Sequence, residues 1–303
     1  KRFDWFRTLR ESSRSCVGAR KIAQVSAHGL GSQYMEVGSR VTEGAKQMFD
    51  PIVHANDYIQ NPWNASVRGD EYNVLFQPLF SWMLKYLREN LNDLEVVELD
   101  SDHALHVGGI SSERRTRMGT LLFQSKLFRR IRLTHYDGGN TQVLNSLWYP
   151  RHHIDAPLLG INLISFGPNQ KQLCIIDFQP LQDSHKNLAV PLGEIYHTFP
   201  ALNQSISARF YDGRFFSPSM LVGKFNCQSD MKSIGFPATR RAVELYVQMV
   251  RSCPEDYSKK EALAKLQQEY NSYNIDKDPS LSIYKAEFGA AWGQDYIENV
   301  KFA

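Results

Sequence analysis

Residues 129–149 read RRIRLTHYDGGNTQVLNSLWY, and their pattern decides the fold. Ile131 and Leu133 alternate with Arg132 and Thr134, so the two pairs point to opposite faces of an extended strand. Asp137-Gly138-Gly139-Asn140 is a turn signal, and residues 142–149 (QVLNSLWY) form a second strand-like run. Two more follow, 158–166 (LLGINLISF) and 171–178 (KQLCIIDF), joined by Gly167-Pro168-Asn169-Gln170. Parallel pairing needs crossovers of about a dozen residues or more. These connections are mostly shorter, so the four runs predict an antiparallel meander.

Helical patterns flank it. Leu75, Leu79, Met83, Leu84 and Leu87 mark an amphipathic helix with Pro78 near its start, and a polar stretch ending at Arg114, Arg115 and Arg117 follows. Helices are expected at 192–200, 237–252, 258–274 and about 280–300, with Leu263, Leu266, Tyr270 and Tyr273 as the stripe of the third. Residues 210–225 read as an aromatic, strand-like segment. Helices before and after an antiparallel sheet predict an α+β fold, a three-layer α/β/α sandwich.

Lys plus Arg total 35 and Asp plus Glu 32, a near balance that disfavours a nucleic-acid role for the whole protein. No apolar run approaches the ~18–20 residues of a membrane span. Cys16, Cys174, Cys227 and Cys253 form no CxxC pair, which excludes the common zinc and iron–sulfur spacings and fits a reducing compartment. No GxGxxG follows a strand, and GxxxxGK[ST], HExxH and GxSxG are missing from the sequence. His152 and His153 are adjacent, would diverge in an extended segment, and are read as loop surface rather than ligands of a metal.

Residues 1–45 are basic, Ser-rich and acid-poor, with Val25-Ser26-Ala27 resembling a processing site. They are expected to be the remnant of a plastid transit sequence, with an ordinary flexible tail as the alternative. Since the sequence starts at Lys1, a preceding segment is expected. Residues 46–70 read as a linker, and 71–303 as the functional domain.

Residues 128–181 (FRRIRLTHYDGGNTQVLNSLWYPRHHIDAPLLGINLISFGPNQKQLCIIDFQPL) resemble the ferredoxin-dependent bilin reductases. The pieces that carry the likeness are FRR-x-R, QVLNS, the D-x-P turn, PLLG, FG-x-x-QK and DFQPL. It continues in Phe215-Phe216-Ser217-Pro218, Lys277-Asp278-Pro279 and Phe288-Gly289-x-x-Trp292, spanning roughly residues 72–302. The resemblance implies an α/β/α sandwich with a linear tetrapyrrole between the sheet and the C-terminal helices. It implies no metal and no permanently bound organic cofactor. Electrons are expected singly from reduced [2Fe-2S] ferredoxin, with the protein orienting the bilin and supplying protons. Within the family the likeness is strongest to the branch that reduces the C15=C16 methine bridge of biliverdin. A four-electron reduction or A-ring reduction stays open, as does a non-catalytic bilin carrier. Product handover to a second bilin reductase and a plastid stroma location are further expectations.

The resemblance assigns roles residue by residue. Asp278 matches a C-terminal pocket aspartate, partly desolvated and suited to pass a proton, and its KDP context equally suits a helix cap. Asn162 stands where most of the family has an aspartate; it can hydrogen-bond pyrrole N–H groups or lactam oxygens but cannot donate a proton. Either proton delivery has moved to Asp278 and water, the regiochemistry differs, or the position was altered. Asn145 is expected to bind substrate, and Asp155 either to bind substrate or to be a turn residue. Arg132, Arg209 and Lys224 are candidates for the bilin propionates, with Thr134 beside Arg132. Phe216, Met220 and Trp292 either wall the pocket or pack the core. Lys126, Arg129 and Arg130 are expected to form a basic docking face for acidic ferredoxin.

Overall fold

The computed structural model describes residues 74–111, 114–205, 211 and 213–303. The expected transit segment and linker, and Arg209, lie outside the described residues. The 129–149 pattern forms two strands, β4 (Phe128–Gly138) and β5 (Thr141–Pro150), paired antiparallel with Gly139 at φ 79° in the turn. Such a φ suits glycine because it has no Cβ to clash. The meander continues through β6 (Leu158–Ser165) and β7 (Gln172–Gln179) to β8 (Leu221–Phe225).

The other side of β4 carries strands that the sequence reading missed. The stretch read as polar contains β1 (Glu95–Val97), β2 (Leu105–Ser111) and β3 (Arg114–Gln124). β3 pairs with β4 along one edge, and β1 and β2 share its other edge, completing an eight-stranded antiparallel sheet. Arg, Thr and Gly in RRTRMGT hide the strand, since Met118 is the one hydrophobic side chain there while Thr116, Arg117 and Thr120 are buried with it. The strand-like reading of 210–225 narrows to β8; Phe215 to Met220 is turn and coil.

One sheet face packs against α1 (Gln77–Asn90) and α3 (Phe236–Ser252), with the short α2 (Leu192–Thr198) beside them. α1 begins at Pro78 in its first turn and buries Leu79, Phe80, Met83, Leu84 and Leu87. α3 buries Ala242, Val243, Tyr246, Val247 and Val250 on the same side. They meet Ile131, Leu133, Trp148, Leu159, Ile161, Ile176 and Phe178. Each large aliphatic side chain buried here contributes about 1.5–3 kcal/mol.

The opposite face meets the C-terminal layer: α4 (Lys260–Lys277), α5 (Ser280–Phe288), α6 (Ala290–Asp295) and a π-helical turn, Tyr296–Lys301. The helix expected over 280–300 is broken at Gly289, whose φ of 99° stops α5 before α6 begins. Tyr270, Tyr284, Tyr296, Ile297, Val300 and Phe302 form the buried side of this layer. The three-layer α+β architecture is therefore that of the sequence expectation, with a wider sheet.

Candidate active site

Strand register lines up the chemistry. On the sheet face toward the C-terminal layer, one row reads Thr120, Thr134, Asn145, Asn162, Ile175 and Val222. The next row reads Leu122, Arg132, Leu147, Gly160 and Asp177. Asn145 and Asn162, with Val143 and Gly160 on the same central strands, keep partial solvent exposure. The middle of a sheet of this width is ordinarily covered. This open patch of amide side chains is the floor of a cleft.

A hydrogen-bonded chain crosses that floor. The Arg132 guanidinium donates to Thr134 Oγ1 at 2.6 Å and to Asn145 Oδ1 at 2.5 Å. Asn145 Nδ2 donates to Asn162 Oδ1 at 3.3 Å. Thr134 and Thr120 share the hydroxyl of Tyr296, at 2.9 and 2.8 Å, which ties the floor to the C-terminal layer. Arg132 is 1% exposed, these acceptors are neutral, and its Nε has no partner among the described residues. A cation buried among neutral partners favours an anionic ligand.

Asp278 faces the floor from the C-terminal layer. It follows α4 in an extended conformation, and Pro279 turns the chain into α5. Its Oδ1 accepts from Ser280 N at 2.7 Å and Ser280 Oγ at 2.6 Å, so it caps the helix start as its context suggested. Its Oδ2 lies 2.7 Å from Lys301 Nζ. Its charge reaches Tyr211, Tyr270 and Tyr284, whose hydroxyls burial pushes up, to about 12 for Tyr284. Lys301 ends the turn that begins at Tyr296, whose hydroxyl bonds Thr120 and Thr134 on the floor, and its ammonium feels the Arg132 charge on β4.

Asp177 is a buried group that the sequence reading did not weigh. It is fully buried on β7, two residues along from the partner of Asn162. Its Oδ2 accepts from Ser217 N at 2.9 Å, and its Oδ1 accepts from Ser217 Oγ. Burial pushes the carboxyl up to about 7, against the lowering effect of those two donors. The signal was present in DFQPL. Cys174, Ile176 and Phe178 face the apolar core, so Asp177 and Gln179 must face the cleft side. Gln179 folds over Gly160 and accepts from Tyr270 OH at 2.6 Å. Lys301 and Tyr296 gave no comparable signal.

The segment anchored by Ser217 carries Phe216 and Met220 along the cleft side. Phe216 is buried edge-on against Tyr211 at 4.8 Å, and Met220 is partly buried. Trp292 stacks on Tyr296 at 5.0 Å and on His106 at 4.5 Å. Lys224 lies on the cleft-facing side of β8, where its Nζ donates to Ser205 O.

Two groups of expected site residues sit elsewhere. Asp155 is bound to His185 Nε2 at 2.7 Å, Gln182 Nε2 at 2.7 Å and Lys259 Nζ at 2.9 Å, at the base of three loops. Its carboxylate is occupied by structure, away from the floor. In the expected ferredoxin-docking group, Arg129 and Arg130 are partly buried and bonded within the fold. A β-bulge between Phe128 and Arg130 turns Arg129 and Arg130 toward the C-terminal layer. Arg129 donates to Gln267 Oε1 at 2.6 Å, and Arg130 donates to Val300 O. Burial draws Arg130 down to about 10. Lys126 is the exposed member of the three, and Arg117 pairs with Asp137.

A family model described as ferredoxin-dependent bilin reductase matches residues 84–303. The chain belongs to the ferredoxin-dependent bilin reductase family. It is similar to the 15,16-dihydrobiliverdin:ferredoxin oxidoreductase of Nostoc punctiforme, 33% identical over 190 residues, covering 59% of this chain and 76% of that one. It is also similar to the enzyme of that name from Prochlorococcus marinus strain AS9601, 28% identical over 235 residues, covering 74% and 97%. A crystal structure of tomato phytochromobilin synthase in complex with biliverdin shares the fold. Its TM-score is 0.65 at 19% identity, covering 75% of this chain and 82% of that one. This bilin reductase is therefore an oxidoreductase that reduces a linear tetrapyrrole with electrons from ferredoxin. Among its described residues no helix is long and apolar enough to cross a membrane.

Proposed function

We propose that this bilin reductase reduces biliverdin IXα at the C15=C16 methine bridge, giving 15,16-dihydrobiliverdin. The observation that carries the reading is the Arg132–Asn145–Asn162 chain on the sheet face that meets the C-terminal layer, the layer to which Asp278 belongs. The two named relatives support the choice of double bond. Biliverdin brings two propionates and a conjugated, flat body. Arg132 supplies the buried positive charge for one propionate. The Asn145 and Asn162 amides offer both donors and acceptors to the pyrrole and lactam edge. With an amide at 162, Asp278 is the carboxyl that passes protons to the reduced bilin, and two ferredoxins supply two electrons singly. Asp177 lies under Ser217 and holds the Phe215–Met220 segment in place.

An anaerobic assay with ferredoxin, its reductase and NADPH tests this. A blue-shifted product that co-elutes with 15,16-dihydrobiliverdin supports the proposal. A pigment reduced in the A-ring, or one that has taken four electrons, moves the assignment within the family. Stoichiometric binding with an unchanged biliverdin spectrum supports the carrier reading instead. The plastid stroma remains our proposal for location and rests on the composition of residues 1–45. Handover of the product to a second bilin reductase goes with it.

A further inference from the structure

Lys301 has no role in the scheme above, yet its ammonium is in direct contact with the proton-passing carboxyl. Its side chain is 7% exposed and that of Asp278 is 8% exposed. Nζ lies 2.7 Å from Asp278 Oδ2 and donates to Ser280 Oγ at 2.7 Å. The Ser280 hydroxyl donates onward to Asp278 Oδ1 at 2.6 Å. Both carboxylate oxygens are thus linked to the same ammonium, one directly and one through a hydroxyl.

Every contact made to Asp278 comes from a donor: Ser280 N, Ser280 Oγ and Lys301 Nζ. The protons beside the carboxyl therefore sit on the Lys301 ammonium and on the Ser280 hydroxyl and amide. Stability does not account for the pair. A buried ion pair costs about as much in desolvation as it returns, and an apolar pair of similar volume usually serves as well.

We propose that Lys301 is the proton source behind Asp278, so that Asp278 relays to the bilin a proton that Lys301 supplies. The inference rests on the reading of Asp278 as the proton-passing group. In the step, one Nζ–H bond breaks and the proton moves to an Asp278 oxygen, directly or through Ser280 Oγ. The carboxyl O–H then breaks as the proton bonds to the one-electron-reduced bilin. Lys301 is left as a neutral amine and regains its proton from water. The electrons pass only from ferredoxin to bilin, so the relay changes no oxidation state.

The surroundings suit a lysine that releases a proton. Burial draws its ammonium below the ordinary lysine range, Asp278 pulls the other way, and the Arg132 charge on β4 adds to the lowering. From its own segment Tyr296 raises it slightly, and the Tyr284 ring of α5 lies 5.4 Å from Nζ. An arginine in the same place would keep the charge and hold its protons, because a guanidinium does not deprotonate in the working range.

The test compares Lys301→Arg, Lys301→Gln and Asp278→Asn in single-turnover reductions with photoreduced ferredoxin, alongside biliverdin binding by absorbance. The wild-type rate is expected to fall on the alkaline side as Lys301 loses its proton. Both Lys301 variants are expected to bind biliverdin as the wild type does, to reduce it about 100-fold more slowly, and to lack that alkaline limb. A Lys301→Arg enzyme at the wild-type rate overturns the relay, since charge alone would then suffice. A wild-type rate that stays flat up to pH 10 overturns it too, whether or not the variants fold. With Lys301→Arg active and Asp278→Asn inactive, only the relay falls. With Asp278→Asn fully active, the reading of Asp278 falls with it.

Discussion

Replacing Asp177 by Asn isolates the cost of burying one carboxyl. The ordinary value for Asp is 3.8, and burial against β7 and Ser217 pushes Asp177 up to about 7. Between those values the unfolded chain has lost the proton and the folded chain keeps it. The folded state therefore binds more protons, and stability falls as pH rises through that window. Below 3.8 both states are protonated, and above 7 both are ionised, so the change is confined between them. At 1.36 kcal/mol per unit the full swing is about 4 kcal/mol, of which roughly 3 kcal/mol falls between pH 5 and pH 8. Asn at 177 stays neutral, and its Oδ1 still accepts from Ser217 N. Urea unfolding of both proteins at pH 5, 6, 7 and 8 reads the difference directly. The variant should gain on the wild type with each step and level off above pH 7. Comparing the two proteins is necessary because His135, drawn down to about 4 by burial, tilts both curves the opposite way at acid pH. Stability curves that run parallel from pH 5 to pH 8 would refute the argument.

Other predictions follow from the same site. Asn162→Asp sets a carboxylate opposite the Asn145 amide, 3.3 Å from the present Oδ1 contact, and should add an acid-dependent limb and about 10–100-fold to a proton-limited rate; an unchanged pH profile would remove this position from proton delivery. Arg132→Gln should weaken biliverdin binding by about 10–100-fold, the loss of one charge-assisted hydrogen bond, while leaving the binding of biliverdin dimethyl ester the same in both proteins. Equal losses for acid and ester would show that Arg132 only braces the floor. Arg130→Met should lower stability by about 1–3 kcal/mol without altering the salt dependence of ferredoxin turnover, because its guanidinium is bonded to Val300 O inside the fold. Lys126→Glu should do the reverse, flattening the ionic-strength dependence at constant Tm, as expected of an exposed charge that steers an acidic partner.

How much was legible differs between parts of the chain. Strict alternation from Ile131 to Leu133 and from Cys174 to Phe178, with short turns between, left antiparallel pairing as the economical arrangement. β3 escaped because its first half buries Thr116, Arg117 and Thr120, and its buried hydrophobics Met118, Leu122 and Phe123 fall on both faces, so no hydrophobic period marks it. The bonds of Arg129 and Arg130 within the fold were equally illegible, because the bulge that turns both toward the C-terminal layer depends on pairing with Tyr149 and Pro150.

What the amino-acid order determined by itself was the layer count, the family and the two faces of each central strand, because these follow from local periodicity and from motifs that sit in one segment. What folding alone decided was which distant residues meet. Asn145 faces Asn162 only through strand register, Asp177 meets Ser217 across 40 residues, and Asp278 is joined to Lys301 from the far end of α5 and α6. Such pairings are set by packing the helices onto the sheet, and no spacing along the chain encodes them.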